Sequence, residues 1–78
     1  MSAGQMLAAA RAARGMSLDD LAQVTKLRAS ILGAMEDDDF SHCGGVVYAR
    51  GQLRAIAPVL GVDPDELVAA FEAGLPRR

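Results

Sequence analysis

S-L-D-D-L-A-Q-V-T-K-L-R-A-S-I-L-G-A-M-E, residues 17–36, reads as a short amphipathic helix, a tight turn around Thr25–Leu27, and a second short helix. Ser17 offers an N-cap oxygen, and Asp20 stands at the third helical position, where the first N–H groups lack intrahelical partners. Leu18, Leu21 and Ala22 form an i, i+3, i+4 stripe, and Leu27, Ile31, Leu32 and Met35 repeat the helical spacing in the second half. Together they make the pattern of a helix-turn-helix. Isolated helices shorter than about 12–15 residues are marginal in water, so both halves need support from the rest of the chain.

The 78 residues make one small domain. Half of them are apolar but only Phe40, Tyr48 and Phe71 are aromatic, so the core has to be built from Leu, Val, Ile, Met and Ala. No stretch of strand length alternates, and the expected class is all-α. The single cysteine, Cys43, excludes an internal disulfide framework and fits a reducing compartment. No apolar run reaches the ~20 residues of a membrane span, and the N-terminus has no signal-peptide core. The expectation is a soluble, cytoplasmic piece.

Working outward, Ala3–Arg14 reads as an Ala-rich first helix stopped by Gly15, with Leu7, Ala10 and Arg11 or Arg14 turned inward. Ser41–Gly45 reads as a loop. A fourth helix is expected over Val46–Leu60, with Val46, Ala49, Leu53, Ala57 and Leu60 on its packed face. Gly51 in its middle suggests a close helix crossing, and Pro58 a kink or an early end near Ala57. Asp63 as N-cap, Pro64 at the first position and Glu66 at the third then start a fifth helix that runs to Gly74. The domain is placed at residues 3–74, with Leu75–Arg78 as a frayed tail.

The net charge of −2 argues against a general polyanion binder. Residues 1–35 carry Arg11, Arg14, Lys26 and Arg28 against Asp19 and Asp20, and Glu36, Asp37, Asp38 and Asp39 follow as a run of carboxylates. Such a run opposes the helix macrodipole, so the second helix of the motif should end within it, with Phe40 returning to the core. These acids are read as solvated or paired with Arg50 or Arg54, and Arg50 as meeting Glu36 or Asp39.

The runs L-A-A-A-R-A-A-R-G-M-S-L-D-D-L-A, T-K-L-R-A-S-I-L-G-A-M-E-D-D-D-F, V-Y-A-R-G-Q-L-R-A and L-G-V-D-P-D-E-L resemble, in order and spacing, the N-terminal domain of the RodZ family, most of all an actinobacterial branch. The resemblance covers about Ala3–Phe71. It implies a five-helix Cro/lambda-repressor-like helix-turn-helix bundle, cytoplasmic, belonging to a membrane-tethered scaffold of cell shape or division whose tether lies beyond Arg78. It also implies a cytoskeletal or division protein as partner, in RodZ proteins the actin-like filament protein MreB. The aromatic positions that make that contact correspond to Gln52 and Ile56, neither of which is aromatic, so the anchors of an MreB-type contact are missing here. Tyr48, Gln52, Ile56 and Val59 nevertheless lie along one side of the helical wheel and form the candidate partner-binding surface. In the alternative reading Ile56 and Val59 cover the fifth helix.

The rival function is DNA recognition by the second helix of the motif. Its groove-facing positions are Arg28, Ala29, Ser30, Gly33 and Ala34, of which only Arg28 and Ser30 can bond a base edge or phosphate, with Lys26, Arg28 and Arg14 available to hold a backbone. His42 beside Cys43 does not complete a metal site without further ligands, and Cys43 is read as turned inward. The acidic run lacks calcium-loop spacing, and Gly44-Gly45 is not followed by the Lys-Ser/Thr of a phosphate loop. The expectation is a noncatalytic recognition module with no cofactor and no metal.

Overall fold

The computed structural model describes residues 1–75. It contains α1 (Ala3–Ala13), α2 (Leu18–Thr25), α3 (Ala29–Glu36), a 3₁₀ turn (Ser41–Cys43), α4 (Val46–Leu60) and α5 (Pro64–Ala73), with no strand among the described residues. The expected five-helix, all-α fold is what the chain adopts. Of the tail expected to fray, Leu75 is half-buried against the core, and Pro76–Arg78 lie outside the described residues.

Each of the first two helices opens on a reciprocal cap. Ser17 Oγ accepts from the Asp20 N–H (3.0 Å) while Asp20 Oδ2 accepts from the Ser17 N–H (2.9 Å). Ser2 and Gln5 do the same for α1, a cap that the sequence reading did not name. At α5, Asp63 Oδ1 accepts from the Asp65 and Glu66 N–H groups, but Glu66 does not reach back, so only half of the expected box forms. The turn between α2 and α3 is made by Lys26 in the left-handed region (φ 63°), whose N–H donates to the Ala22 carbonyl (2.9 Å). Thr25 Oγ1 donates back to the Leu21 carbonyl (2.8 Å).

Packing is organised on α4. Leu53, Ile56 and Ala57 have no exposed surface and share one core with Leu7 of α1, Leu21 of α2, Leu32 and Met35 of α3, and Leu67 and Phe71 of α5. Burying a side chain of this size favours folding by about 1.5–3 kcal/mol before entropy is counted. Phe40 returns to the core as expected, with its ring centroid 4.7 Å from that of Phe71 in an edge-to-face arrangement.

Three expectations for α4 are corrected. Ala49, Leu53, Ala57 and Leu60 are buried as expected, but the buried face is wider than expected and takes in Ile56, because α5 and the other helices together cover a broader arc than one neighbour would, while Val46 in the first turn is 41 % exposed. A Cβ at Gly51 would meet nothing within 4 Å, so no helix crosses there. Pro58 neither ends the helix nor stops it near Ala57. It sits on the exposed side, and the last turn is closed by left-handed Gly61 and by the Val62 N–H donating to the Ala57 carbonyl (2.9 Å).

Candidate functional site

The acidic run turns out to be largely a fastening between α1 and α3. Arg11 Nε and Nη2 donate to Glu36 Oε2 (2.6 Å) and Oε1 (2.9 Å), and Nη1 donates to the Met16 carbonyl (2.9 Å). This fork holds the Arg11 guanidinium above its ordinary pKa, first through the hydrogen bond with Glu36. Asp38, at φ 62°, accepts from the Gly4 N–H (2.8 Å) and so caps α1 from outside. Gly4 is required at that spot, since a Cβ would lie 2.6 Å from the carbonyl oxygens of Met35 and Glu36. Asp39 accepts from the Ser41 hydroxyl and N–H, which lowers its pKa, and its Oδ2 stands 3.6 Å from His42 Nε2. The expected partners of Arg50 and Arg54 are therefore wrong: Arg50 faces Glu72 (3.3 Å) and Arg54 meets Asp65 (2.9 Å), both on α5.

Apart from Met1 at the start of the chain, the most exposed large apolar side chains lie near the end of α2 and at the start of α4. Val24 is 58 % exposed, Val47 75 % and Tyr48 66 %. Thr25, Leu27, Val47, Tyr48, Gly51 and Gln52 line a shallow depression of about 360 Å³ beside them. Open space over Gly51 keeps its floor flat, and exposed Ala55 continues it. Gln52 is half-buried: its Nε2 donates to the Cys43 carbonyl (3.3 Å), while its Oε1 is enclosed without a partner.

Of the four residues expected to form a partner surface, Tyr48 and Gln52 are together at this depression. Ile56 is not available, because it has no exposed surface and belongs to the core. Val59 is half-buried against the same core. The alternative reading of Ile56 and Val59 as core cover is the one the packing follows. Val24, Val47 and Gly51 were missed. The wheel carried a signal for Val47, which falls about 100° from Val46 and so well away from the packed stripe.

The DNA-reading positions divide similarly. Lys26, Arg28 and Ser30 are exposed, whereas Ala29 and Ala34 are half-buried. Gly33 does not face outward: a Cβ there would contact Leu18 of α2 at 3.4 Å, so the position serves the α2–α3 packing. Arg28, Ser30, Ile31, Ala34 and His42 line a second shallow depression of about 350 Å³. Cys43 is buried, as expected, and burial raises its thiol pKa. Among the described residues no His, Cys, Asp and Glu side chains cluster to hold a metal ion, and no helix is long and apolar enough to cross a membrane.

Residues 6–67, nearly the whole bundle, match the family profile described as a helix-turn-helix domain. The chain belongs to this RodZ-type helix-turn-helix family. It is 34 % identical over 71 residues to the cytoskeleton protein RodZ of Streptococcus pneumoniae, covering 91 % of this chain and 26 % of that one. It is 33 % identical over 61 residues to the membrane protein YmfM of Bacillus subtilis, covering 78 % of this chain and 21 % of the relative. The chain thus spans about a quarter of the length of these curated relatives. Among solved structures it is similar to YmfM of Staphylococcus aureus, proposed to be a DNA-binding membrane protein, with a TM-score of 0.85 and 28 % identity over 97 % of this chain and 93 % of the other.

Proposed function

We propose that this domain is a noncatalytic protein-recognition module of a membrane-tethered, RodZ-like scaffold, and that its working surface is the outer face of α4 with the adjoining turn. The observation that carries the reading is the pair of large apolar side chains left uncovered there, Val47 and Tyr48, beside a flat floor at Gly51. Apolar residues exposed singly are ordinary, but a contiguous group with an aromatic member is the composition of an interface centre. The kinship with a cytoskeleton protein points to a cytoskeletal partner. Without aromatic side chains at Gln52 and Ile56, and with Ile56 inside the core, the anchoring in this chain rests on Tyr48 and Val47. The position is cytoplasmic, at the inner face of the membrane.

DNA recognition stays as the second reading because Lys26 and Arg28 are exposed and are not in ion pairs among the described residues, and because the similar YmfM is proposed to bind DNA. Against it stand the half-buried Ala29, Gly33 and Ala34, which give α3 almost no base-reading equipment.

Two titrations separate the readings. Co-sedimentation with the polymerised actin-like filament protein of the same cell should show binding that Tyr48→Ala weakens about ten-fold or more, as loss of an aromatic anchor does. Labelled duplex DNA at low salt should bind weakly and without sequence preference. Tight, sequence-dependent DNA binding that Arg28→Ala abolishes and Tyr48→Ala leaves intact would overturn the protein-recognition reading.

A further inference from the structure

A larger concavity lies elsewhere among the described residues. A groove of about 600 Å³ opens where the start of α1, the loop after α3, the start of α4 and the end of α5 converge, and it shares no lining residue with the depression at Tyr48. Half-buried Phe40, packed edge-to-face on the buried Phe71, lies at its floor, with exposed Val46 and half-buried Ala70 and Leu75 as walls. Val46, the one residue of the expected packed stripe of α4 that stays exposed, is left uncovered on this side.

One edge of the groove is negatively charged. Asp38 and Ser41 line it, and Asp37 and Asp39 are exposed beside Asp38 in the chain. Arg11 neutralises Glu36, but among the described residues neither Lys nor Arg pairs with Asp37, Asp38 or Asp39, and His42 stands 3.6 Å from Asp39. Asp38 uses Oδ1 on the Gly4 N–H and gives up no charge in doing so. An open apolar trough with an anionic edge has the complement of an amphipathic segment whose apolar side chains fill the trough and whose basic residues meet the edge.

We infer that the Phe40–Phe71 groove is a second docking site, for a cationic amphipathic helix of a protein partner. The volume admits two or three large side chains, within the usual range of binding pockets. The edge carboxylates steer and orient the segment, and the aromatic floor holds it. This site is independent of the surface on the outer face of α4, so either can fail without the other.

The test uses an acetylated, amidated helical peptide of about 14 residues with leucines on one face and lysines on the other, and its leucine–glutamate counterpart. Amide NMR titration of the 78-residue chain should move resonances of Phe40, Val46, Ala70 and Leu75 with the lysine peptide. The glutamate peptide should bind at least ten-fold more weakly. Val46→Asn and the pair Asp37→Asn with Asp38→Asn should each weaken the lysine peptide about five-fold, as expected for lost apolar contact and for two edge charges, with an unchanged melting temperature showing intact folding. Asn at 38 keeps the acceptor that Gly4 needs. Equal binding of both peptides, shifts confined to the Tyr48 face, or unaltered affinity in folded variants would each overturn the site. A chain ending at Leu75 should bind no more tightly. A three-fold gain on that shortening would assign the groove to the chain's own end, and concentration-dependent shifts of the same residues without peptide would assign it to a second copy.

Discussion

Replacing Arg11 with alanine deletes three hydrogen bonds at once and leaves the Glu36 carboxylate without its counter-charge. The two bonds to Glu36 measure 2.6 and 2.9 Å, the bond to the Met16 carbonyl 2.9 Å, and the side chains are only 22 % and 12 % exposed. A hydrogen bond to a charged group contributes about 1.5–3 kcal/mol when enclosed, and an exposed ion pair under ~1 kcal/mol. This pair is intermediate in burial, so the fork is assigned about 2 kcal/mol and the Met16 bond about 1, giving a loss of about 3 kcal/mol. For a domain of this size, whose total stability is on the order of 4–12 kcal/mol, that is a large share. The melting temperature should fall by about 15 °C. Glu36→Gln, which keeps one acceptor, should cost about 1–1.5 kcal/mol. Urea and thermal unfolding followed by circular dichroism, run as a double-mutant cycle, should give a coupling of about 1.5 kcal/mol that persists in 0.5 M salt, since enclosed pairs are little screened. A loss below about 0.7 kcal/mol for Arg11→Ala, or a coupling that vanishes in salt, would refute the view that the acidic run is a fastening.

Two glycines should respond in opposite senses: Gly4→Ala should destabilise by about 2–3 kcal/mol because its Cβ meets backbone carbonyls, and Gly51→Ala should stabilise by about 0.5–1 kcal/mol in the same urea assay. Asp20 has a lowered pKa, through the backbone and hydroxyl of Ser17, so its contribution is present above the unfolded value near pH 4 and is lost as pH falls through the folded one. The gap in urea midpoint between the native chain and Asp20→Ala should therefore be full at pH 7 and close as the pH falls below about 4. The buried Cys43 thiol, its pKa raised, should react with iodoacetamide at pH 8 at least ten-fold more slowly in the folded chain than in urea, as followed by mass spectrometry.

The legible parts of this fold were those decided by neighbours in the chain. Ser17 with Asp20, the turn around Lys26, Asp63 before Pro64, and the stripes of α2 and α3 depend on residues a few positions apart, where side-chain chemistry and helix geometry suffice. The misread parts depended on a second element. Arg11 finds Glu36, Asp38 finds Gly4, and Arg50 finds Glu72, none of which any local spacing announces. For Ile56 the helical wheel allows both an outward place and cover of the fifth helix, and it is the close packing of α5 along α4 that decides for the core. The candidate surface was half legible for the same reason: Tyr48 and Gln52 fall where expected, but which apolar residues remain uncovered around them is a property of the assembled bundle.

Lys26 and Asp38, the two non-glycine residues with positive φ among the described residues, bracket α3 on either side. Such a backbone conformation costs an L-residue about 1–2 kcal/mol, so the bundle spends stability to hold both ends of this helix in register. The helix between them is pinned from within by Leu32, Met35 and Glu36 and carries little on its solvent side. That makes α3 a blank cassette. Its outward positions, Ser30 foremost, should accept arginine or asparagine without moving the helix, and a domain that is poorly equipped to read a base pair would then be a ready frame for engineering one that does.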